Sequence, residues 1–475
     1  MTADRTENQA PDQTGDGARG ADRGLAAEAE HLLRTLFPIC RSLTGDGVRA
    51  TLRQLQALAP FELEHYPSGG AVYDWTIPDE WVIRDAYIAD ADGRRLVDFR
   101  DNNLHVVSYS RPVQARMTLA QLAPHLFSLP ELPDAIPYRT TYYKQDWGFC
   151  LSQRQRDRLD PDALYSVVID SELRPGALSL AVARLSGTEA GAGEYLISTY
   201  CCHPSMANDN LSGVVVTALL CRALAGRRLR HSYRVLVAPE TIGAIAYLAH
   251  HPAEMAALRG GLVVTTCAGP GRFGYKETFL GNHLIDRVIR LVFRDAGIDP
   301  LRYRFVPDGS DERQYSSPGF RIPVASLTKD KYYEYEYYHT SLDNLDFVSG
   351  DNLARSVELH LAVIETLEQN RVWRSCNPCG EAQLGRRGLY PQTGGALRQP
   401  AHSGADDQAD QTDLIAWIMF LADGDHDLVS IAERSGHRFS DLARVAALLE
   451  RHGLIEPATA AGTAAAVGAA GVGAG

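Results

Sequence analysis

The chain has 475 residues, 45% of them hydrophobic, with 47 Lys and Arg against 59 Asp and Glu and a formal net charge of −12. That length and apolar content predict roughly two to four domains with buried cores. The acidic balance argues against a nucleic-acid-coating protein, which needs a basic surface to displace counterions. Eight irregularly spaced cysteines are too few for a disulfide scaffold.

The two ends of the chain have compositions that cannot build a core. Residues 1–24 are polar and charged, and residues 458–475 are an Ala/Gly/Thr tract with almost no charge. We expect both segments to be disordered tails, because neither buries enough side chain to offset its ordering entropy. The first tail lacks the apolar run of a signal peptide, and no stretch approaches the roughly 20 apolar residues of a membrane span. A cytoplasmic protein without membrane contact is expected.

Between the tails, the pattern changes along the chain. Residues 25–66 carry two helical patterns, residues 67–149 form a small β-rich unit with many turn residues, and residues 150–374 alternate apolar strands with helices. Continuous apolar strands indicate a sheet buried on both faces. The predicted fold is therefore an α/β core of residues 25–66 and 150–374, a mixed sheet sandwiched by helices, into which residues 67–149 are inserted. The strands are expected at 164–169, 178–185, 195–200, 233–238, 261–266 and 322–327.

Residues 375–457 predict a winged-helix domain. Helical patterns cover residues 413–421, 428–435 and 440–454, with glycines between them. Winged helices often bind DNA through a basic helix, but residues 406–456 contain eleven acids and four arginines. We expect no nucleic-acid binding and a role in packing or in binding a partner protein instead. A CxxC pair nearby, Cys376 and Cys379, is a weak zinc signal because no second pair accompanies it.

Two apolar strands end in chemically active side chains. The strand 195–200 leads into a loop that carries His203 and Asp209, whose imidazole and carboxylate are suited to a divalent cation. The strand 235–238 leads to Glu240, a candidate general base. Ligands bind at the carboxyl ends of such strands. The alternative is structural, since Asp209 or Asn208 can cap the following helix, and the dipole of the next helix favours an acid such as Glu240 at its N-terminus.

Two later loops add candidates. His339 lies in an aromatic and acidic loop in which Asp343 or Asp346 could orient an imidazole. Residues 307–315 form a very polar loop, and this composition is equally typical of a binding loop and of a solvated turn. No P-loop, dinucleotide fingerprint or serine nucleophile elbow is present, which lowers the expectation of nucleotide-dependent or serine-hydrolase chemistry.

Taken in chain order, the four segments that carry these candidate residues resemble those of the zinc-dependent aminopeptidases, a group that also contains the glutaminyl cyclases. The resemblance sharpens to a bacterial branch of aminopeptidase-like proteins with an inserted β domain and a C-terminal winged helix. It covers residues 27–457 and rests on the ligand loops and on the segments YDWT (73–76), DFRDNNLHVV (98–107), WGFCL (147–151) and GSDERQY (309–315).

The resemblance implies that His203, Asp209 and His339 bind zinc and that Glu240 is the general base. Two further carboxylate ligands of the two-metal aminopeptidases are replaced here by Thr241 and Thr266. We therefore expect a single zinc per chain with an open coordination position, unless Asp311 or Glu312 replaces a lost ligand.

The remaining polar side chains of the 307–315 loop are assigned to the substrate. Asp308, Asp311 and Glu312 are expected to hold a substrate ammonium group, and Arg313 a carboxylate or an oxyanion.

Three functions stay open at this point. The first is a metal-dependent amide hydrolase, most simply an aminopeptidase acting on a small peptide or amide. The second is a single-zinc deacylase or a cyclase-like acyl-transfer enzyme acting on a glycan or a secondary-metabolite intermediate. The third is a non-catalytic metal-binding module, which the retained Glu240 disfavours because a structural zinc needs no free base. The oligomeric state stays open, a homo-oligomer included.

Overall fold

The computed structural model describes residues 15–142, 144–389 and 411–458, which fall into two compact units. The first unit extends to Ile285 and includes Pro300–His360, and the second consists of Asp286–Asp299 and the residues from Leu361 onward. The predicted tail at residues 459–475 and residues 1–14 of the other tail lie outside the described residues. The first ten residues of helix α1 (Gly15–Leu36) fall within the expected N-terminal tail of residues 1–24. The local composition does not predict this start, because four of those ten residues are glycines, which are poor helix formers.

The first unit is built on an eight-stranded mixed sheet, which confirms the predicted core. Its strand order is β1-β10-β12-β11-β13-β16-β14-β15, and β12, β11, β13 and β16 run parallel to one another. These strands are almost completely buried, as their continuous apolar runs predict. The strands are β1 (Glu62–Pro67), β10 (Ala177–Leu185), β11 (Glu194–Tyr200), β12 (Ser232–Ala238), β13 (Gly260–Val264), β14 (Phe273–Lys276), β15 (Leu301–Tyr303) and β16 (Val324–Lys329).

Helices accompany this sheet along the chain. They are α2 (Asp46–Leu58), α5 (Gly213–Ala225), α6 (Ile242–His250), α7 (Pro252–Ala256) and α9 (Glu312–Tyr315), together with α8 (Leu284–Asp295) and α10 (Gly350–Gln369), whose residues are divided between the two units. Helix α5 contacts β10, β11, β12 and β13, and all but three of its thirteen residues are buried. A helix that is apolar on nearly every side is expected where it is enclosed by the core.

A second, four-stranded sheet has the order β5-β4-β9-β6 and confirms a small β-rich unit. Its strands are β4 (Glu80–Ala89), β5 (Arg95–Asp98), β6 (Val113–Thr118) and β9 (Leu164–Arg174). The prediction that residues 164–169 join the core sheet is wrong, because β9 pairs with β4 and β6. Buried and more exposed residues alternate along β9, which is the pattern of a strand covered on one face. Short elements in the same part of the chain are β2 (Ala71–Val72), β3 (Trp75–Thr76), α3 (Leu119–Leu122), β7 (Leu126–Phe127), β8 (Phe149–Cys150) and α4 (Gln153–Arg156).

The second unit contains the predicted winged helix. Strands β17 (Val372–Ser375), β18 (Asp423–Asp427) and β19 (Ile455–Pro457) form a sheet of order β18-β17-β19 beside helices α11 (Gln411–Leu421), α12 (Leu428–Ser435) and α13 (Phe439–Arg451). Helix α12 is capped by Asp427, which accepts a hydrogen bond from the backbone N–H of Ser430, and it ends at Gly436 with φ 75°. Throughout the described residues, no helix combines the length and apolarity needed to cross a membrane.

Candidate metal centre

The candidate site lies at one edge of the eight-stranded sheet, where its parallel strands end. Strands β11, β12 and β16 lead into loops that carry His203, Glu240 and His339, respectively. The segment 207–212 is an irregular helical turn in which Asp209 leaves helical dihedrals (φ −108°, ψ 92°) before α5 begins. The strand-to-loop pattern thus brings residues from distant parts of the chain to one place.

His203, Asp209 and His339 form one cluster. Their ligand atoms lie within 4.8 Å of one another: Asp209 Oδ2 is 3.0 Å from His339 Nε2 and 4.0 Å from His203 Nε2. Both Asp209 Oδ2 and His339 Nε2 are buried, and neither has a hydrogen-bond partner of acceptable geometry among the described residues. A buried polar atom without a partner is costly. Two imidazoles and a carboxylate that converge in this way fit a zinc ion, which would satisfy both atoms.

Protonation of the cluster also suits a metal. Burial lowers the pKa of His203 to about 4, so its imidazole is neutral near pH 7 and can offer a lone pair. Burial alone would raise the pKa of Asp209, but the His203 and His339 imidazoles and the Tyr200 hydroxyl outweigh it and leave that pKa below its ordinary value. The Tyr200 hydroxyl donates to Asp209 Oδ1 at 2.6 Å, which leaves Oδ2 for a cation.

Asp343 supports the site through the backbone. Its buried carboxylate accepts hydrogen bonds from the N–H groups of Asn208 (2.6 Å) and Asp209 (2.8 Å) and from the Tyr335 hydroxyl (2.8 Å). Burial raises the pKa of this carboxyl to about 7. The expectation that Asp343 or Asp346 orients an imidazole is therefore replaced by another role for Asp343, while Asp346 is exposed. Asp343 fixes the loop that presents Asp209.

Glu240 lies beside the three clustered residues. Its Oε2 is 3.8 Å from His203 Nε2, and its Oε1 accepts a hydrogen bond from the Ser310 hydroxyl at 3.1 Å. Burial and the nearby Asp311 and Asp209 carboxylates raise the pKa of Glu240 well above its ordinary value. The side chain keeps about a quarter of its surface exposed. A carboxyl that binds a proton readily and reaches open space is suited to proton transfer.

Two acids of the 307–315 loop, Asp311 and Glu312, lie inside the protein. Asp311 is 1% exposed, and its Oδ1 accepts a hydrogen bond from the Thr241 N–H at 2.7 Å. Glu312 is fully buried and pairs with Lys276 Nζ at 2.7 Å and with the Tyr332 hydroxyl at 3.1 Å. One oxygen of each carboxylate is thus engaged inside the protein, whereas Asp311 Oδ2 and Glu312 Oε2 are buried without a hydrogen-bond partner among the described residues. Neither belongs to the metal-ligand cluster found among the described residues.

Asp308 and Arg313 remain accessible on the same loop. The Asp308 side chain is 70% exposed, and its Oδ1 lies 3.7 Å from Arg313 Nη1. Arg313 also donates from Nη2 to the Thr241 hydroxyl at 3.3 Å, which ties it to the residue after Glu240. Of the expected substrate-binding set, these two residues have side chains that reach the surface.

Two threonines, Thr241 and Thr266, stand at the positions where the resemblance expects further carboxylate ligands. Thr241 lies beside Asp311 and Arg313, and the Thr266 N–H donates to Asn210 Oδ1 at 3.1 Å. Both threonine side chains are neutral and short. Cys376 and Cys379 are exposed free thiols and belong to no metal-ligand cluster within the described part of the chain.

Sequence reasoning missed Ser310 and Tyr138 as parts of the site. Ser310 precedes the predicted Asp311 and contacts Glu240, so its position in the polar loop was a usable signal. Tyr138 comes from the segment assigned to the inserted unit, and its ring centroid lies 5.2 Å from those of His203 and His339. No local sequence pattern predicts such a long-range contact.

Comparison with known proteins agrees with this architecture. Residues 30–370 match the family described as "Domain of unknown function (DUF4910)", and residues 371–457 match a winged helix-turn-helix family. A Clostridium acetobutylicum protein named "Putative polysaccharide biosynthesis protein with aminopeptidase-like domain" is 42% identical over 429 residues, which are 90% of this chain and 96% of that protein.

Solved structures give the same result. A crystal structure of a Clostridium acetobutylicum protein described as a "putative peptidase" has a TM-score of 0.85 at 40% identity and covers 93% of this chain and 99% of its own. The zinc aminopeptidase BSAP of Bacillus subtilis shares the fold with a TM-score of 0.52 at 13% identity, covering 72% of this chain and 94% of its own. The chain therefore belongs to the DUF4910 family, as an aminopeptidase-like protein with a C-terminal winged helix-turn-helix.

Proposed function

We propose that the protein is a zinc-dependent amide hydrolase of aminopeptidase type, in which His203, Asp209 and His339 hold one zinc and Glu240 is the general base. The observation that carries this proposal is a pair of buried atoms, Asp209 Oδ2 and His339 Nε2, that lack a hydrogen-bond partner of acceptable geometry among the described residues. They lie 3.0 Å from each other, beside His203 and within reach of Glu240. A merely structural site would have no use for a partly exposed carboxyl next to it.

The chemistry is divided between the ion and the protein. Zinc, when bound, lowers the pKa of a coordinated water and polarises a carbonyl group. Glu240 accepts the proton of the attacking water at its carboxylate and delivers it to the leaving amine. The Ser310 hydroxyl, which donates to Glu240 Oε1, holds that carboxylate in place while the other oxygen exchanges the proton.

A single zinc is favoured by the ligand count. Three protein ligands with an open position are typical of a catalytic zinc, whereas a second ion needs further carboxylates. Thr241 and Thr266 occupy the two positions expected to supply them, and Asp311 already accepts a hydrogen bond from the Thr241 backbone.

Substrate binding is proposed for the exposed part of the 307–315 loop. Asp308 would hold the ammonium group of a small peptide or amide, and Arg313 a carboxylate or the developing oxyanion. Asp311 and Glu312 are left out of this role because both side chains are buried and one carboxylate oxygen of each is engaged internally. The acidic winged helix is proposed as a packing or partner-binding module.

A second candidate substrate class comes from the relative named for polysaccharide biosynthesis. The same residues would hydrolyse the amide of an N-acylated sugar. In the cyclase-like alternative, an amine of the substrate itself attacks an amide carbonyl, and the original amine leaves with the proton. Aminoacyl 4-nitroanilides and N-acetylated amino sugars, each assayed with and without a chelator, distinguish the two classes by the amine released.

The test of the proposal is Glu240→Gln. The variant should keep its zinc while turnover of the best substrate of that panel falls about 10²–10⁴-fold, the usual contribution of a general base. The surface change Glu30→Gln, which alters an exposed ion pair with Arg34, is the matched control and should leave turnover unchanged. Full turnover by Glu240→Gln would remove Glu240 as the base.

A further inference from the structure

The segment Ile136–Tyr138 pairs with the loop that carries the last proposed ligand. The Tyr138 N–H donates to the His339 carbonyl at 2.8 Å, and the Ser341 N–H donates to the Ile136 carbonyl at 2.9 Å. The Ile136 N–H donates in turn to the Ser341 hydroxyl at 2.9 Å, and Pro137 forms an antiparallel bridge with Thr340. Residues 339–341 are therefore held along their backbone by residues 136–138.

The same loop continues to the second ligand. Asp343 follows two residues after Ser341 and accepts hydrogen bonds from the Asn208 and Asp209 N–H groups, while its own carbonyl accepts one from the Ala207 N–H at 2.9 Å. An unbroken series of hydrogen bonds thus runs from Ile136–Tyr138 through residues 339–343 to Asp209.

The loop of His203 is held from the same side. Met206 is fully buried in an apolar cluster with Leu104, Val107, Ile136 and Cys150. Asn103 Nδ2 also donates to the Ser205 hydroxyl at 2.8 Å. Most of these contacts come from residues 103–138, within the segment assigned to the inserted β-rich unit.

The Tyr138 ring completes the contact. Its centroid lies 5.2 Å from the His339 imidazole in an edge-on arrangement with an interplanar angle of 88° and 5.2 Å from the His203 imidazole at 47°. One aromatic ring thereby restricts both proposed histidine ligands, and its distances are those of favourable aromatic pairs.

We propose that residues 136–138 are a brace for the metal centre, with Tyr138 as a positioning residue that fixes both imidazoles, so that zinc affinity depends on the inserted unit. This inference rests on the proposed function, because it needs zinc at His203, Asp209 and His339. Residues that orient metal ligands commonly alter metal affinity about 10–100-fold when they are changed. The core sheet alone would then leave the ligand loops too free to hold the ion tightly.

The experiment measures the zinc dissociation constant of the full chain by competition with a chromophoric chelator, using Zn²⁺ alone as the probe. Tyr138→Ala removes the ring, and Ser341→Ala removes the acceptor of the Ile136 N–H; each should weaken zinc binding about tenfold or more. Tyr138→Phe keeps the ring and the backbone donor and should bind zinc within about twofold of the wild type. Tyr87→Ala removes a tyrosine of the small sheet that packs against Arg95, and serves as the control with unchanged zinc affinity.

The outcomes separate the brace from the proposed centre. Wild-type zinc affinity in both Tyr138→Ala and Ser341→Ala would overturn the brace, even if the thermal stability of these variants fell. An equal loss of zinc affinity in Tyr138→Phe and Tyr138→Ala would overturn it as well. His203→Ala, measured in the same assay, should lose zinc. Unchanged zinc binding by His203→Ala would instead contradict the proposed metal centre itself.

Discussion

Asp343→Asn tests how the Asp209 loop is held. The Asp343 carboxylate accepts two buried backbone N–H groups, those of Asn208 and Asp209, and the Tyr335 hydroxyl. An asparagine offers one carbonyl oxygen in place of two carboxylate oxygens. Its NH₂ group must therefore face one of the two backbone N–H groups, which loses its acceptor, while the Tyr335 hydroxyl can turn and accept instead.

The size of the effect follows from these contacts. A buried N–H without an acceptor costs about 1–3 kcal/mol, and the remaining bond loses its charge assistance, so the free energy of unfolding should fall by about 2–4 kcal/mol. Because Asp209 is presented by the same backbone, zinc affinity should also fall about tenfold or more.

Urea denaturation of the zinc-free protein measures the first quantity and chelator competition the second. Both are carried out at about pH 8.5, above the raised pKa of about 7, so that Asp343 is ionised. Asp346→Asn, three residues later and exposed, is the matched control and should change neither quantity. An Asp343→Asn variant as stable as the wild type, with unchanged zinc affinity, would refute the reasoning.

Three further changes have defined outcomes in urea denaturation. Lys276→Met leaves the fully buried Glu312 without its cation and should lower the free energy of unfolding by about 3–5 kcal/mol; a change below about 1 kcal/mol would contradict a buried ion pair. Burial lowers the pKa of His360 to about 4, so the folded state keeps this imidazole neutral while the unfolded chain takes up a proton near pH 6.5. The stability that His360 contributes is thus present above that pH and lost below it. The difference in free energy of unfolding between the wild type and His360→Gln should therefore shrink by on the order of 3 kcal/mol from about pH 7 to about pH 4. A difference that does not change with pH would contradict this prediction. A change of glycine to alanine usually stabilises a helix, but Gly213→Ala should lower the free energy of unfolding by about 1–3 kcal/mol, because the added Cβ would lie 2.5 Å from the Val264 carbonyl oxygen. A stabilised variant would contradict this prediction and show that the helix can shift to make room.

Local patterns in the sequence predicted the core of the site. The apolar strands that end before His203 and Glu240 were found as β11 and β12, and parallel strands deliver such residues to one edge. The three proposed ligands were selected by residue type and by resemblance, and the fold brings them within 4.8 Å. The winged helix could also be predicted from local patterns, because the capping residue Asp427 and the glycine Gly436 mark the two ends of α12.

The parts that could not be predicted depend on long-range pairing. The run 164–169 is apolar enough for either sheet, and only its pairing with β4 and β6 decides between them. Glu312 was expected to hold a substrate ammonium group, but in the structure it forms a buried ion pair with Lys276, 36 residues earlier in the chain. Tyr138 approaches His339 from 201 positions away in the sequence, which no periodicity reveals.

The measurement that tests the central claim most directly is zinc-edge anomalous diffraction from crystals of the full chain grown with Zn²⁺. The account predicts one anomalous peak per chain at the proposed centre, at about 2.0–2.2 Å from His203, Asp209 and His339. Two peaks at this site would contradict the single-zinc proposal, and a site without a peak would contradict the metal centre itself.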